Sequence, residues 1–489
     1  MGNIQGRIAD PREKDWPLLA LFFLMALAYS LMCLFRHWHF ESSGYDLGIF
    51  DQMIWHYSRF ERACGTVNPF NNMLGDHFSP LLMILAPLYW IFSRVETLLV
   101  AQAFLLMLSM FPIFYFAKNK LGRLSAYCFT LSFAIFWGIQ YTAQYDFHEV
   151  SFAVPLVAFA IYFFSENKRG WFWISVLLLT LVKEDMCLLV VFFGIYLMIQ
   201  KFFKEDSVFH FWEGFVLAGV GVFAFWLEIY VLIPFFKGGG HYSYWFYSDI
   251  GASPLQALAN VFIHPLKVFG VLFANFKKIR TLFFMFGPFL FLPFFSPLLI
   301  LTIPLIGEKM LSDDTSFWGF MFHFAAVLSP VLTMAAADGL SVISKWLSKN
   351  NPNVLFQNKI VPISAVILFL NIGGVAMFRP LKNLAYPSYY RFTESDLAGT
   401  RAIKTIPPEA SVLAQDAIVP HLSHRQIINS LNQEAILNPV KDQFIIACPN
   451  INTWPLQPSD IEIFINESMK KGFRKVFDEK GWIVLERSA

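Results

Sequence analysis

Charge is scarce in this chain. Asp, Glu, Lys and Arg make up 15% of its 489 residues, where soluble domains carry roughly 25%, so an ordinary soluble fold is excluded. The charge that exists is nearly balanced, at a net +2, and offers no basic face for nucleic acid. Cysteine is also rare: the five residues Cys33, Cys64, Cys128, Cys187 and Cys448 show no metal-ligand spacing. Three of them lie within apolar spans as small hydrophobes, leaving Cys64 and Cys448 as the two that could join if both face outward. No small-residue cleavage site follows the first apolar run, Trp16 to Phe35, so that run is expected to remain as the first helix.

What is abundant is apolar surface. Hydrophobic residues make up 56% of the chain, with 57 Phe and a mean hydropathy of +0.51. A helical span needs about 20 apolar residues, and cytoplasmic loops collect Lys and Arg. Arg7, Arg12 and Lys14 therefore place the N-terminus in the cytoplasm. Further cytoplasmic clusters are Lys118, Lys120 and Arg123; Lys168 and Arg169; Lys201 and Lys204; Lys277, Lys278 and Arg280; and Lys345, Lys349 and Lys359. Pairs of apolar spans separate them, giving a mainly α, polytopic membrane bundle over residues 1–378 with about 10 to 12 crossings. His77 to Phe92 is too short to cross and carries Pro80 and Pro87, so it is expected to be re-entrant or interfacial. Thr281 to Ile306, with four prolines, is expected to hold one crossing and a broken piece.

After the last span, Val361 to Met377, the composition changes. From Arg379 to Ala489, strand-like runs (Ser411 to Ala414, Gln443 to Ala447, Trp482 to Leu485) alternate with helical ones (Ser395 to Thr405, Asp460 to Lys471). This pattern predicts a small α/β domain outside the membrane over residues 379–489, without a Gly-rich phosphate loop. Its expected role is that of a cap or recognition module. The whole is read as a multi-pass protein of the plasma (inner) membrane with a cytoplasmic N-terminus.

In so uncharged a chain, the acidic and histidine residues beside apolar runs stand out, because charges at a bilayer are costly unless paired or hydrated. These are Asp46, Asp51, His77, Asp146, His148, Glu149, Asp185 and His323, all expected on the outer side. Asp46 and Asp51 lie in the first outer loop, residues 37–96. From Leu47 onward, Ile49, Phe50, Met53, Ile54 and Tyr57 share one helical face, while Asp51, Trp55, Ser58 and Arg62 share the other. Asp46 then either caps that surface helix or serves as a general base at the membrane rim. Asp46 and Asp51 fall roughly 140° apart on an ideal helix, so a shared site does not follow. Asp146-Phe147-His148-Glu149 is either a solvated turn or a site. Lys183-Glu184-Asp185, inside the apolar run from Trp171 to Gln200, either neutralises itself or functions. His77 and His323 are single histidines, more often structural. Gly238 to Tyr247 joins three glycines to aromatics, as an interfacial belt or a sugar-stacking loop.

Tyr45-Asp46-Leu47-Gly48-Ile49-Phe50-Asp51-Gln52, His77-Phe78-Ser79-Pro80, Asp146-Phe147-His148-Glu149 and Lys183-Glu184-Asp185, with the outer tail, resemble a bacterial and archaeal domain-of-unknown-function family of polytopic membrane proteins. That family is placed near the GT-C glycosyltransferases, which use polyprenyl-phosphate-linked sugars. The resemblance implies a GT-C-like fold and transfer of a sugar, with inversion, from a polyprenyl-phosphate donor to a lipid or glycan acceptor. Asp46 matches the acidic residue that deprotonates the acceptor, with Asp51 a second catalytic candidate. His77, Asp146, His148, Glu149, Lys183, Glu184, Asp185 and His323 are the substrate-binding candidates. His77-Phe78-Ser79-Pro80 is similar to a His-Pro-Pro-Leu motif, with Phe78 and Ser79 where prolines would stand. Lys183-Glu184-Asp185 occupies the place of Thr-Lys-Gly. A divalent metal, Mg or Mn, is optional in that superfamily, and Glu149 and Asp185 are the carboxylates suited to it. The rival readings are a transporter or lipid flippase, for which no internal repeat is visible, and a non-catalytic envelope protein of GT-C shape.

Overall fold

The computed structural model describes residues 15–68, 72–203, 208–350, 357–378 and 380–488. Arg7, Arg12, Lys14, Lys204 and Arg379, used above to orient the chain, lie outside the described residues. The first helix, Trp16–Trp38, shows how the bundle is built. Leu18, Phe22, Ala26, Tyr29 and Cys33 are buried along one stripe, while Phe23, Leu24 and Leu27 stay exposed on the opposite face. That is the 3.6-residue period of a helix with protein on one side and lipid on the other.

Helices long and apolar enough to cross a membrane unaided are Trp16–Trp38, Glu96–Leu121, Phe211–Lys237 and Asn358–Phe378. The remaining apolar segments are shorter, among them Pro80–Ile91, Glu149–Ser165, Arg169–Leu179 and Met186–Phe202. Pro80–Ile91 is a 3₁₀ turn followed by one helical turn, tied through Leu81 N–H to Leu181 O at 3.0 Å. The region from Thr281 to Ile306 is broken as its prolines require, into the end of helix Phe276–Phe286, three 3₁₀ turns and the start of helix Thr302–Leu311.

The first helix runs between two chemically distinct ends. At its start, Asp15 binds Lys118 at 3.0 Å and Arg123 at 3.3 Å, and nearby Lys120 binds Asp338 at 2.6 Å. At its finish, roughly 34 Å away for 23 residues, lie the first loop and the candidate site. Lys277, Lys278 and Arg280 do not join the basic end, contrary to the charge pattern. Helix Ile233–Lys237 ends against Gly75 in the first loop, where a Cβ would meet Lys237 N at 2.4 Å. Helices Pro254–Ile263 and Pro265–Phe273 then meet at 104°. Asp313 accepts from Ser248 N–H and Asp249 N–H, while Lys277 donates to Thr315 O at 2.7 Å. Lys278 donates to Val271 O at 2.9 Å and lies 4.1 Å from the Trp318 ring centroid. Lys237 and Lys278 thus both make their contacts toward the site end, at Gly75 and Trp318. The charge pattern does not anticipate this, because Lys277 and Lys278 are engaged by the carbonyls of Thr315 and Val271 and by an aromatic ring.

The tail forms a five-stranded sheet, β1 (Val412–Gln415), β2 (Ile428–Leu431), β3 (Phe444–Ala447), β4 (Phe473–Glu479) and β5 (Trp482–Arg487). Its order is β2-β1-β3-β5-β4, with β1 parallel to β2 and β3 and the other pairs antiparallel. Helices Glu394–Lys404 and Pro458–Lys470 match the helical runs in the sequence. The apolar core is continuous from the bundle into this domain, with Phe40 at 4.5 Å from Trp482. Among the described residues no disulfide forms, and Cys448 is buried.

Candidate functional site

The first loop begins with an N-cap: Ser43 Oγ accepts from Tyr45 N–H at 3.1 Å. A π-helical turn, Gly44–Gly48, follows and runs into helix Ile49–Ser58. Asp46 therefore lies inside the first turn rather than ahead of it, and the capping role belongs to Ser43. Such π turns are frequent at functional sites because they rotate one side chain out of the helical register. Gly44 and Gly48 are required by close packing. A Cβ at either would meet Val419 of the tail domain within 2.8 Å.

Asp46 meets the Asp146-Phe147-His148-Glu149 segment directly. His148 Nε2 donates to Asp46 Oδ1 at 3.2 Å, and the Tyr145 ring stacks on that of His148 with centroids 5.5 Å apart. Asp146 has a φ of 51°, a left-handed conformation that Asp tolerates better than most residues. That twist turns its carboxylate back onto Arg36, at 2.6 Å, and onto Ser43 N–H, at 2.7 Å. Gln102 holds the segment from below, accepting from His148 N–H at 2.9 Å and donating to Asp146 O. The His148 ring lies 3.8 Å from that of His323, which sits in the loop before helix Leu328–Asn350.

The Lys183-Glu184-Asp185 triplet joins the same cluster. Lys183 binds Glu149 at 3.0 Å. Glu184 accepts from His77 Nδ1 at 2.6 Å, from Tyr242 at 2.8 Å and from Phe78 N–H at 3.2 Å. Lys183 and Glu184 do not neutralise each other, since each has a partner on a different segment. Asp185 lies close to the Glu308 carboxyl. Tyr244 donates to Asp76 and stacks on His77, with ring centroids 4.5 Å apart. Four buried atoms of this cluster have no hydrogen-bond partner within the protein: His148 Nδ1, His323 Nδ1, Glu149 Oε2 and Asp185 Oδ1. Buried polar groups are nearly always satisfied, so these four atoms are free to meet a group from outside the protein.

Asp51 is not brought to this group. It is fully buried and accepts from Tyr89, from Ser423 and, at 3.1 Å, from His424 Nε2. Ser423 and His424 of the tail domain cover this carboxylate. The same covering buries Gln52, which donates to Thr66 at 2.9 Å and to Arg425 O at 3.1 Å.

Several residues of the cluster were not legible as candidates. Arg36, Tyr145, Glu308 and Asp416 act through contacts made in the fold. Tyr242 and Tyr244 belong to the aromatic loop that composition alone leaves as an interfacial belt. Asp416 Oδ1 accepts from Tyr45 N–H at 3.1 Å, and its Oδ2 accepts from Ser43 Oγ at 2.9 Å. Burial pushes its carboxyl up from 3.8 to about 7, against hydrogen bonds from Ser43 and Gly44 that favour the charged form; Asp46 and Asp146 add to the rise.

Among the described residues no group of three or more His, Cys, Asp or Glu side chains is placed to hold a metal ion.

The structure of ArnT from Cupriavidus metallidurans bound to undecaprenyl phosphate is similar to this one, with a TM-score of 0.55 at 13% identity, covering 97% of this chain and 99% of that chain. ArnT in the apo state gives 0.54 at 12% identity over 96% and 98%. The Archaeoglobus fulgidus oligosaccharyltransferase tethered to an acceptor peptide gives 0.47 at 12% identity over 97% and 74%. No curated protein matches by sequence. The shared architecture is the GT-C fold, a helical membrane bundle with a small C-terminal sheet domain. The family model described as "Predicted membrane protein (DUF2079)" matches residues 36–484, and the chain belongs to that family.

Proposed function

We propose that the chain transfers a sugar from a polyprenyl-phosphate donor to an acceptor of the cell envelope, on the outer face of the plasma membrane. The observation that carries this reading is the position of Asp46. Its side chain is 22% exposed and, among the described residues, is bonded to His148 and to no Lys or Arg, whereas those of Asp146, Glu149 and Glu184 are at most 2% exposed. Asp46 is thus open to an incoming hydroxyl, with His148 orienting its carboxylate. The acceptor oxygen attacks the anomeric carbon as its proton passes to Asp46. The bond from that carbon to the phosphate oxygen breaks, and polyprenyl phosphate departs with the electron pair. Attack opposite the leaving group inverts the anomeric configuration. His77 and Lys183, anchored by Glu184 and Glu149, would supply the positive donors for the leaving phosphate. The fold shared with a structure that binds undecaprenyl phosphate supports a lipid-linked donor.

The test is transfer by the purified chain in lipid, using radiolabelled polyprenyl-phosphate sugars and envelope extract. The expected result is label in a new product of opposite anomeric configuration. Label that crosses the bilayer while still on its original lipid identifies a flippase instead.

A further inference from the structure

We propose that Tyr45 and Trp454 form a stacking platform for a pyranose ring of the acceptor, which makes the acceptor a glycan. The inference rests on the reading of Asp46 as the base. Tyr45 and Trp454 come from opposite ends of the chain and meet edge to face, with ring centroids 5.6 Å apart at 87°. Both rings stay about half exposed, 47% for Tyr45 and 51% for Trp454. Single exposed aromatics need no explanation. This pair does, because it is built from two elements pinned to one strand end.

The pins are consecutive residues at the C-terminal end of β1. Asp416 accepts from Tyr45 N–H at 3.1 Å. Gln415 donates to Asn452 O at 2.7 Å, and its Oε1 accepts from Cys448 N–H at 2.8 Å. Asn452 Oδ1 in turn accepts from Trp454 N–H at 3.2 Å. β1 is flanked on both sides by parallel strands, and ligands of such sheets bind beyond the carboxyl ends of the strands. The platform lies there.

The chemistry suits a sugar. Tyr and Trp give rigid, amphipathic contact area at low entropic cost. The axial C–H face of a pyranose rests on such rings while its hydroxyls remain free for hydrogen bonds. Asn452, whose amide oxygen accepts from Trp454 N–H, is exposed beside it. Tyr45 immediately precedes Asp46 in the same π-helical turn, so the platform lies one residue from the proposed base. A lipid acceptor would need neither the paired rings nor the amide.

Saturation-transfer NMR on the full chain in lipid nanodiscs tests this, with chito-, manno- and gluco-oligosaccharides as probes and no donor present. The wild type is expected to bind at least one series through its ring protons. Tyr45→Ala and Trp454→Ala should each weaken that binding about tenfold, which corresponds to ~1.4 kcal/mol of lost contact. Tyr45→Phe and Trp454→Phe should retain most of it, and Asp46→Asn should bind as the wild type does. In transfer assays the alanine variants should raise the acceptor KM and leave kcat and the donor KM unchanged. Absence of oligosaccharide binding by the wild type, or binding indifferent to both alanine variants, overturns the proposal. Transfer to a purely lipid acceptor would overturn it while leaving the transferase reading intact. Glycan binding without any transfer would do the reverse.

Discussion

Removing the Asp51 carboxylate should loosen the tail domain from the first loop without touching the chemistry. Asp51 is fully buried and receives three donors: the Tyr89 hydroxyl and, from the tail, Ser423 and His424. Burial disfavours the His424 imidazolium, but the Asp51 charge and hydrogen bond, with a contribution from Glu96, outweigh it and raise its pKa. Asp51→Ala leaves the His424 imidazole and two hydroxyls without their acceptor, at about 1–3 kcal/mol for each buried group left unsatisfied. Asp51→Asn keeps an acceptor oxygen for the hydroxyls and loses mainly the charge-assisted part, about 1.5–3 kcal/mol. The assay is limited proteolysis and intrinsic-fluorescence melting of the full chain in lipid, set beside His424→Gln and the double variant. The two sites share one bond, so the double variant should cost less than the sum of the singles. A folded Asp51→Asn with wild-type melting and no transfer activity would refute this reasoning and return Asp51 to the reacting groups.

Three further outcomes follow from the same contacts. Lys183→Met leaves Glu149, 2% exposed, without its cation and should cost about 3–5 kcal/mol. Lys183→Met with Glu149→Gln should recover much of that in melting experiments, and no recovery would deny the pairing. Gly399→Ala places a methyl 2.4 Å from Trp482 and 2.8 Å from Phe40, where bundle and tail meet. Overpacking there should cost about 1–3 kcal/mol, read as a lower melting temperature, and an unchanged melt would deny that contact. Asp416, raised from 3.8 to about 7, holds an extra proton in the folded state between those values. Its contribution to stability is therefore full below the lower value and falls as pH rises through the window, by at most ~1.4 kcal/mol per unit. Asp416→Asn should flatten the pH dependence of melting between about pH 4 and 7, and an unaltered slope would contradict the assignment.

Much of the site was legible because charge is so scarce. Asp46, His77, Asp146, His148, Glu149, Lys183, Glu184, Asp185 and His323 stand out against apolar runs, and the fold gathers them at one end. Asp51 was legible as unusual but not as a tie, because its partners Ser423 and His424 come from more than 370 residues away. Periodicity gave the helix around it correctly, but the tail residues that cover its carboxylate are invisible to local pattern. The tail's α/β character was readable from β1, β3 and β5. β4, Phe473–Glu479, was missed because its burial does not alternate cleanly and most of its side chains are exposed or half-buried. Lys277, Lys278 and Arg280 misled for a related reason: a charge count cannot tell a solvated cation from one capped by Val271 O or Thr315 O.

The central claim is that Asp46 takes the proton from the acceptor, and Asp46→Asn tests it most directly because the amide keeps the shape and removes the base. Wild type and variant would be compared in one lipid preparation, with labelled polyprenyl-phosphate sugars, envelope extract and a melting curve for each. The account predicts label in product with the wild type, and its loss in a variant that melts normally. Equal transfer by the two proteins would contradict it.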